Sequence, residues 1–210
     1  RGAARSARGE GHRLWPLGHR RGGAEAADGP RRGDRPLSLS LSSRARLNAH
    51  ALPLFPSESL FDRLARAVCE ADCLPRKELF EAWEMARRVR RYLRGGRVVD
   101  LAAGHGLLAW ALLLLDDSSP EALAVDSRKP ESAARLASVL EVRWPRLAGR
   151  VRYVEGRLED VALGPGDLVV SAHACGALTD RVLEKALAAR ARVAVLPCCH
   201  FLRERERKHD

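Results

Sequence analysis

The amino-acid sequence predicts an α/β fold in which helices are wound around both faces of a parallel sheet. The first observation is a β-branched run that ends at Asp100, passes through Gly104 and Gly106 and enters the apolar block Leu107–Leu115. This order is typical of a buried strand, a tight turn and a buried helix. The second observation is that strand-like and helix-like segments alternate after it. Such alternation predicts parallel strands joined by right-handed crossovers.

Four more strands are expected after the one that ends at Asp100. Helices are expected between the strands, because the apolar residues there recur at helical spacing. The strands are predicted at Glu121–Asp126, Arg150–Val154, Leu168–Ala172 and Val193–Leu196, and the helices at Leu107–Leu115, Lys129–Trp144 and Leu178–Ala189.

Two helices are expected before this α/β segment. Ser57 is the candidate N-cap of the first helix, and Pro75 separates it from a second helix that begins at Arg76 and ends at Leu93. The chain is thereby divided into a disordered basic tail (1–50), N-terminal helices that pack on the core (51–95) and a cofactor-binding domain (96–210).

Positive charge is concentrated in the tail. The chain carries a formal net charge of +10, and residues 1–50 hold 11 Arg against 4 acidic residues. The folded part is therefore only weakly basic, and its charge is poor support for nucleic-acid binding. The tail has too little periodic hydrophobicity to fold. Because the chain begins without Met, the tail suggests a fragment or an extended reading frame as readily as a functional basic arm.

Cysteine usage and hydrophobicity predict a cytoplasmic protein without a membrane span. Five cysteines without regular spacing do not make a secreted disulfide framework. The longest apolar run, Leu107–Leu115, is far shorter than the roughly 20 residues that a bilayer requires.

The glycine turn predicts a nucleotide-containing cofactor. Gly104, Gly106 and Ala109 satisfy the dinucleotide pattern G-x-G-x-x-G/A, so a nicotinamide cofactor must be weighed against S-adenosylmethionine. Asp100 favours the second, because its carboxylate would repel a pyrophosphate and attract an ammonium or sulfonium group. The alternative is that Asp100 only caps the turn.

Two further positions fit the same cofactor. Asp126 ends the second strand, 22 residues after Gly104, where an acid can accept hydrogen bonds from both ribose hydroxyls. Its alternative role is to cap the following helix. Leu158 follows the third strand, where it could present a backbone N–H and an apolar side chain to the adenine ring. Arg157, directly before it, is an unusual residue for this position.

The last two strands end in cysteine and histidine residues. If these strands are neighbours, His173, Cys175, Cys198, Cys199 and His200 converge at one edge of the sheet. Three interpretations stay open: small buried hydrophobic groups, a polar wall facing the methyl acceptor, or a zinc site without C-x-x-C spacing. We expect a metal-free acceptor pocket in which His173 or His200 is the general base.

Several segments resemble class I S-adenosylmethionine-dependent methyltransferases of the methyltransferase-domain-32 group, which includes tRNA ribose methyltransferases and bacterial proteins. The likeness covers roughly residues 74–200, and its specific part is H-A-C-G-x-L-T-D from His173 followed by P-C-C-H from Pro197. The segments are Lys77–Glu84, Asp100–Leu108, Val125–Ser132, His173–Asp180 and Leu196–His200.

The resemblance implies a Rossmann-like sheet with strands in the order 3-2-1-4-5 and a helix at Lys77–Glu84 lying over the cofactor. Ala102 stands where the family pattern has its first glycine, which narrows the turn without excluding the ligand. The resemblance implies that Asp100, Gly104, Gly106 and Asp126 bind S-adenosylmethionine, and Ala102 is a further candidate cofactor-binding residue.

The sequence therefore predicts an S-adenosylmethionine-dependent methyltransferase with RNA, in particular tRNA, as its acceptor. A non-catalytic cofactor-binding module or inactive fragment is the first alternative, and an NAD-dependent oxidoreductase is the second. The resemblance implies a bacterial-type member that is truncated at its C-terminus, since the family sheet has seven strands and only five are found. Strand five would then be an open edge through which the chain self-associates.

Overall fold

A computed structural model describes residues 44–197 of the chain. Within them it shows five α-helices, five β-strands and three short 3-10 helices. The α-helices are α1 (Leu60–Ala71), α2 (Arg76–Tyr92), α3 (Leu107–Leu115), α4 (Glu131–Arg143) and α5 (Ala177–Ala188). The strands are β1 (Val98–Leu101), β2 (Ala122–Asp126), β3 (Val151–Glu155), β4 (Leu168–Ser171) and β5 (Arg192–Val195), and the 3-10 helices are Ala49–Leu54, Pro145–Leu147 and Leu158–Asp160.

The five strands form one parallel sheet in the order β3-β2-β1-β4-β5. This confirms the predicted fold class and strand order. Val98 at the start of the central strand pairs with Ala122 of β2 and with Leu168 of β4. Because every strand runs the same way, the segments that follow β1, β2, β3 and β4 all lie at the carboxyl edge of the sheet.

Helix α2 packs against α3, and this contact places the N-terminus of α2 near the glycine turn. Helix α3 is apolar almost all round, and Leu107–Leu114 are buried. Arg90 of α2 is also buried: its guanidinium group donates to the Leu112 carbonyl at 3.1 Å and to Ser119 Oγ at 2.9 Å, and lies 3.4 Å from Asp116. A buried arginine is tolerated because these partners satisfy its donors.

The N-terminal boundary differs from the prediction. Leu47 is only 1% exposed, and its N–H donates to the Leu74 carbonyl at 2.8 Å. The predicted disordered tail therefore does not include residues 44–50, because Leu47 belongs to the hydrophobic core and its backbone is bonded to Leu74; residues 1–43 lie outside the described residues. The N-cap of α1 is Ser59, whose side chain accepts from the Asp62 N–H, rather than Ser57.

Strand β5 is bonded on one side only within the described residues. Its neighbour is β4, and its side chains are half-buried. Residues 198–210, which follow it, lie outside the described residues. None of the helices within residues 44–197 is both long and apolar enough to cross a membrane.

Candidate active site

A crevice opens at the carboxyl edge of the sheet, above β1, β2 and β4. Its volume is about 550 Å³, which is within the range of small-molecule sites. It is lined from several segments that are far apart in sequence. Among its lining residues are Glu78, Gly104, His105, Asp126, Leu158 and His173.

The glycine turn after β1 has an unusual backbone. Gly104 and Gly106 have φ values of +53° and +80°, and Ala102 adopts +57° although it carries a side chain. A non-glycine residue in this left-handed backbone conformation costs roughly 1–2 kcal/mol. Ala102, which stands where the family pattern has its first glycine, therefore has a strained backbone. Among residues 44–197, a Cβ at Gly104 would meet no atom within 4 Å beyond its chain neighbours, whereas one at Gly106 would lie 3.3 Å from Ala124 Cβ. Gly104 therefore leaves its face of the crevice clear for a ligand.

Asp126 and Tyr153 hold this turn from two sides. Asp126 Oδ2 accepts the Gly104 N–H at 2.9 Å, and the Tyr153 hydroxyl donates to the Gly104 carbonyl at 2.6 Å. Asp126 Oδ1 also accepts the Arg128 N–H at 3.4 Å. It does not cap the following helix, because α4 begins at Glu131 with Pro130 as its N-cap and has no side-chain cap. The half-buried carboxylate lines the crevice. The sequence analysis did not identify Tyr153, because no local pattern shows that a tyrosine in a strand will bond to the backbone of a distant turn.

Asp100 lies behind the crevice rather than in its wall. It is the penultimate residue of β1, flanked by β2 and β4, and is 1% exposed. Burial raises its pKa to about 8, with a smaller rise from Asp126, while the Ala109 backbone opposes the shift. Its Oδ2 has no hydrogen-bond partner among residues 44–197. The expectation that Asp100 ends the strand and points into the open crevice is therefore wrong, because β1 continues to Leu101 and the carboxyl group is buried beside the start of α3, near the Ala109 backbone.

Leu158 lies where the sequence placed it, in a short 3-10 helix after β3. Its half-buried side chain lines the crevice together with Arg157 and Arg181. Both arginines pair with Glu159, Arg157 at 3.5 Å. The apolar surface of Leu158, which is predicted to contact the adenine ring, is therefore bordered by two arginines that pair with the same carboxylate, Glu159.

The cysteine and histidine cluster is described only in part. His173 follows β4, is half-buried and lines the crevice, while Cys175 two residues later is exposed. The convergence of these two with strand five stays a prediction, because Cys198, Cys199 and His200 lie outside the described residues. Within residues 44–197, no three His, Cys, Asp or Glu side chains are grouped as metal ligands.

Glu78 and His105 form a pair that sequence reasoning did not identify. Glu78 Oε2 lies 3.5 Å from His105 Nδ1. Burial would raise the pKa of Glu78, but the hydrogen bond and charge of His105, with the charges of His173 and Lys77, bring this pKa below its ordinary value. The resemblance placed the helix of Glu78 over the cofactor but assigned no role to this carboxylate.

The strand order and the glycine turn define a Rossmann-like methyltransferase fold. A family model described as a methyltransferase domain, the methyltransferase-domain-32 family, matches residues 80–205, and the chain belongs to this family. No curated protein matches the chain significantly.

Solved structures with similar folds have low sequence identity to the chain. A conserved hypothetical protein from Streptococcus pyogenes is 21% identical, with a TM-score of 0.41 over 53% of this chain and 74% of the other. A putative O-methyltransferase from Nostoc punctiforme is 18% identical, with a TM-score of 0.44 over 70% and 47%. The B. subtilis tRNA methyltransferase TrmK is 21% identical, with a TM-score of 0.42 over 54% and 49%. The chain spans about half the length of the last two proteins.

Proposed function

We propose that this chain binds S-adenosylmethionine in the crevice and transfers its methyl group to an RNA acceptor. The observation that carries the proposal is the contact between Asp126 and the Gly104 N–H at 2.9 Å. It joins the ends of β1 and β2 at the carboxyl edge, in a chain that belongs to a methyltransferase family.

The residues of the crevice fit this cofactor. Gly104 leaves open space where a Cβ would project. Asp126 offers carboxylate oxygens that can accept from ribose hydroxyls, and Leu158 offers an apolar surface to a purine. When bound, S-adenosylmethionine supplies an electrophilic methyl group. The chain's task is then to orient the acceptor in line with that methyl group and to remove its proton where it is a hydroxyl.

The choice of RNA is supported by the rim of the crevice. Arg128 and Lys129 are exposed two and three residues after Asp126, which lines the crevice. Guanidinium and ammonium groups are the usual contacts to RNA phosphates. We assign tRNA as the first acceptor to test, the cytoplasm as the compartment, and a metal-free acceptor pocket formed by Cys175 with the segment that follows β5.

Three measurements test the proposal. Calorimetry should show binding of S-adenosylhomocysteine and none of NAD; the reverse would make the chain a nicotinamide enzyme. Labelled S-adenosylmethionine should then pass its methyl group to total tRNA rather than to total protein or small-molecule extracts. Cofactor binding without transfer to any of the three pools would identify a non-catalytic module. Stoichiometric zinc in protein purified without chelator would contradict the metal-free pocket.

A further inference from the structure

A second, much smaller cavity lies behind the crevice. Its volume is about 20 Å³, enough for one water molecule. Glu78 of α2, Asp100 of β1, His105 of the glycine turn and His173 after β4 all line it. Four titratable side chains from four separate segments therefore meet at one point beside the crevice.

The geometry within this group singles out one pair. His105 Nδ1 faces the Glu78 carboxylate at 3.5 Å, with the side chains 24% and 33% exposed. An imidazole that donates its Nδ1 proton to a carboxylate carries its free lone pair on Nε2. Because Nε2 lies on the other side of the ring, it is turned away from Glu78. His105 also lines the larger crevice, where an acceptor would have to approach the methyl group.

Glu78 is held in place for this contact. It lies in the first turn of α2, where a carboxylate is stabilised by the helix dipole. The neighbouring Leu79 and Ala82 are buried and anchor that turn in the core. Lys77 does not neutralise Glu78 directly, since its ammonium group pairs with Glu81 at 3.0 Å. Within residues 44–197, no carboxylate forms an ion pair with His173, so the oriented imidazole is His105.

We propose that Glu78 and His105 form a carboxylate–imidazole dyad in which His105 Nε2 is the general base for a hydroxyl acceptor. This inference rests on the proposed methyltransferase function and names the base within it. Glu78 is a positioning residue that keeps the proton on Nδ1. The arrangement follows the general rule that a catalytic base is oriented by a third group.

The proton and electron balance of the step is simple. His105 Nε2 takes the proton of the acceptor hydroxyl while an oxygen lone pair forms the bond to the methyl carbon. The carbon–sulfur bond breaks, and its electron pair stays on sulfur, so that the sulfonium becomes a neutral thioether. The imidazolium that results is stabilised by Glu78 and returns its proton to water. No metal, oxidant or further reactant is required.

The first test is the tautomer of His105 in the free protein, measured by ¹⁵N NMR above the ordinary imidazole pKa of about 6.5. His105→Gln assigns the signal. We expect the proton on Nδ1 in the parent chain and a loss of this preference in Glu78→Ala. A parent imidazole protonated on Nε2 would overturn the dyad whether or not the protein transfers methyl groups.

The second test separates kcat from cofactor affinity. His105→Gln should lower kcat by about 10²- to 10⁴-fold, the range for loss of a general base, while its Kd for S-adenosylhomocysteine stays within about twofold. Glu78→Ala should lower kcat at least about tenfold. The controls are His50→Gln and Glu70→Gln, which alter exposed side chains of residues 49–54 and of α1 and should leave kcat unchanged.

The outcomes distinguish this inference from the function on which it rests. Unchanged kcat in His105→Gln, with a large loss in His173→Gln, would return the role to His173 and refute the dyad. Absence of transfer by the parent chain to every acceptor pool would refute the proposed function. In that case the tautomer measurement alone would decide whether Glu78 and His105 form the dyad.

Discussion

Replacing Asp126 by alanine should weaken the binding of S-adenosylhomocysteine by about 10- to 150-fold. The carboxylate is half-buried and one oxygen already accepts the Gly104 N–H at 2.9 Å. Its removal leaves that donor and the ribose hydroxyls without a charged acceptor. Hydrogen bonds to a charged group contribute about 1.5–3 kcal/mol, and each 1.4 kcal/mol changes affinity tenfold.

The variant Asp126→Asn separates the two roles of this side chain. An amide oxygen can still accept from Gly104, so the turn should remain held, whereas the charge that strengthens bonds to the ribose is lost. We expect an affinity between those of the parent and of Asp126→Ala. Asp160→Asn is the matched control, because Asp160 is exposed near the same edge and forms no ion pair within residues 44–197.

Calorimetry gives the affinities, and the thermal unfolding midpoint shows whether each variant is folded. Equal affinity of Asp126→Ala and the parent would refute the assignment to the ribose. If the midpoint fell at the same time, Asp126 would be only an anchor for the glycine turn. An equally large loss of affinity in Asp160→Asn would show that the effect comes from removing negative charge near the site rather than from a contact of Asp126 with the ribose.

Three further predictions concern stability, and self-association is a fourth. Leu47→Ala should lower the free energy of unfolding by about 2–5 kcal/mol in denaturant titration, since the side chain is 1% exposed; no change would contradict its burial. Ala102→Gly should raise it by up to about 1 kcal/mol by relieving φ +57°, and a decrease would disprove the strain. The pKa of Asp100 is raised to about 8, so the folded state keeps a proton that the unfolded chain loses above about pH 4, and stability falls as pH rises between these values. Asp100→Asn should remove this slope; parallel pH profiles would exclude Asp100 as its source. Sedimentation should show concentration-dependent association through the edge of β5 that has no partner strand within residues 44–197, and a monomer at all concentrations would argue against it.

Much of the fold could be predicted from local pattern. The β-branched run before Gly104 and the apolar block after it define β1, the turn and α3, because hydrophobic period and glycine placement are local properties of the chain. Pro75 similarly predicted the start of α2 at Arg76, and its observed end at Tyr92 differs from the prediction by one residue. The strand order came from the family resemblance and agrees with the structure.

The Asp126 side of the site was also predictable. Its position at the end of β2 follows from the length of one strand–helix–strand unit, and parallel pairing then brings it to the turn after β1. The position of Asp100 was not predictable to the same degree. Asp100 is followed by one more strand residue, and its carboxyl group is buried beside the start of α3. The expected ligand contact is therefore a buried acid with a raised pKa.

Only the tertiary structure decided the remaining features. Leu47 lies in a segment without helical or strand period, and it is buried only through the tertiary core, where its N–H bonds to the Leu74 carbonyl between α1 and α2. Glu78 and His105 are brought to 3.5 Å because α2 packs on α3 and the glycine turn that carries His105 leads directly into α3. Local sequence specifies which elements form, through backbone preference and the period of apolar residues. Which side chains meet across those elements is set by how the elements pack, and no local pattern contains that information.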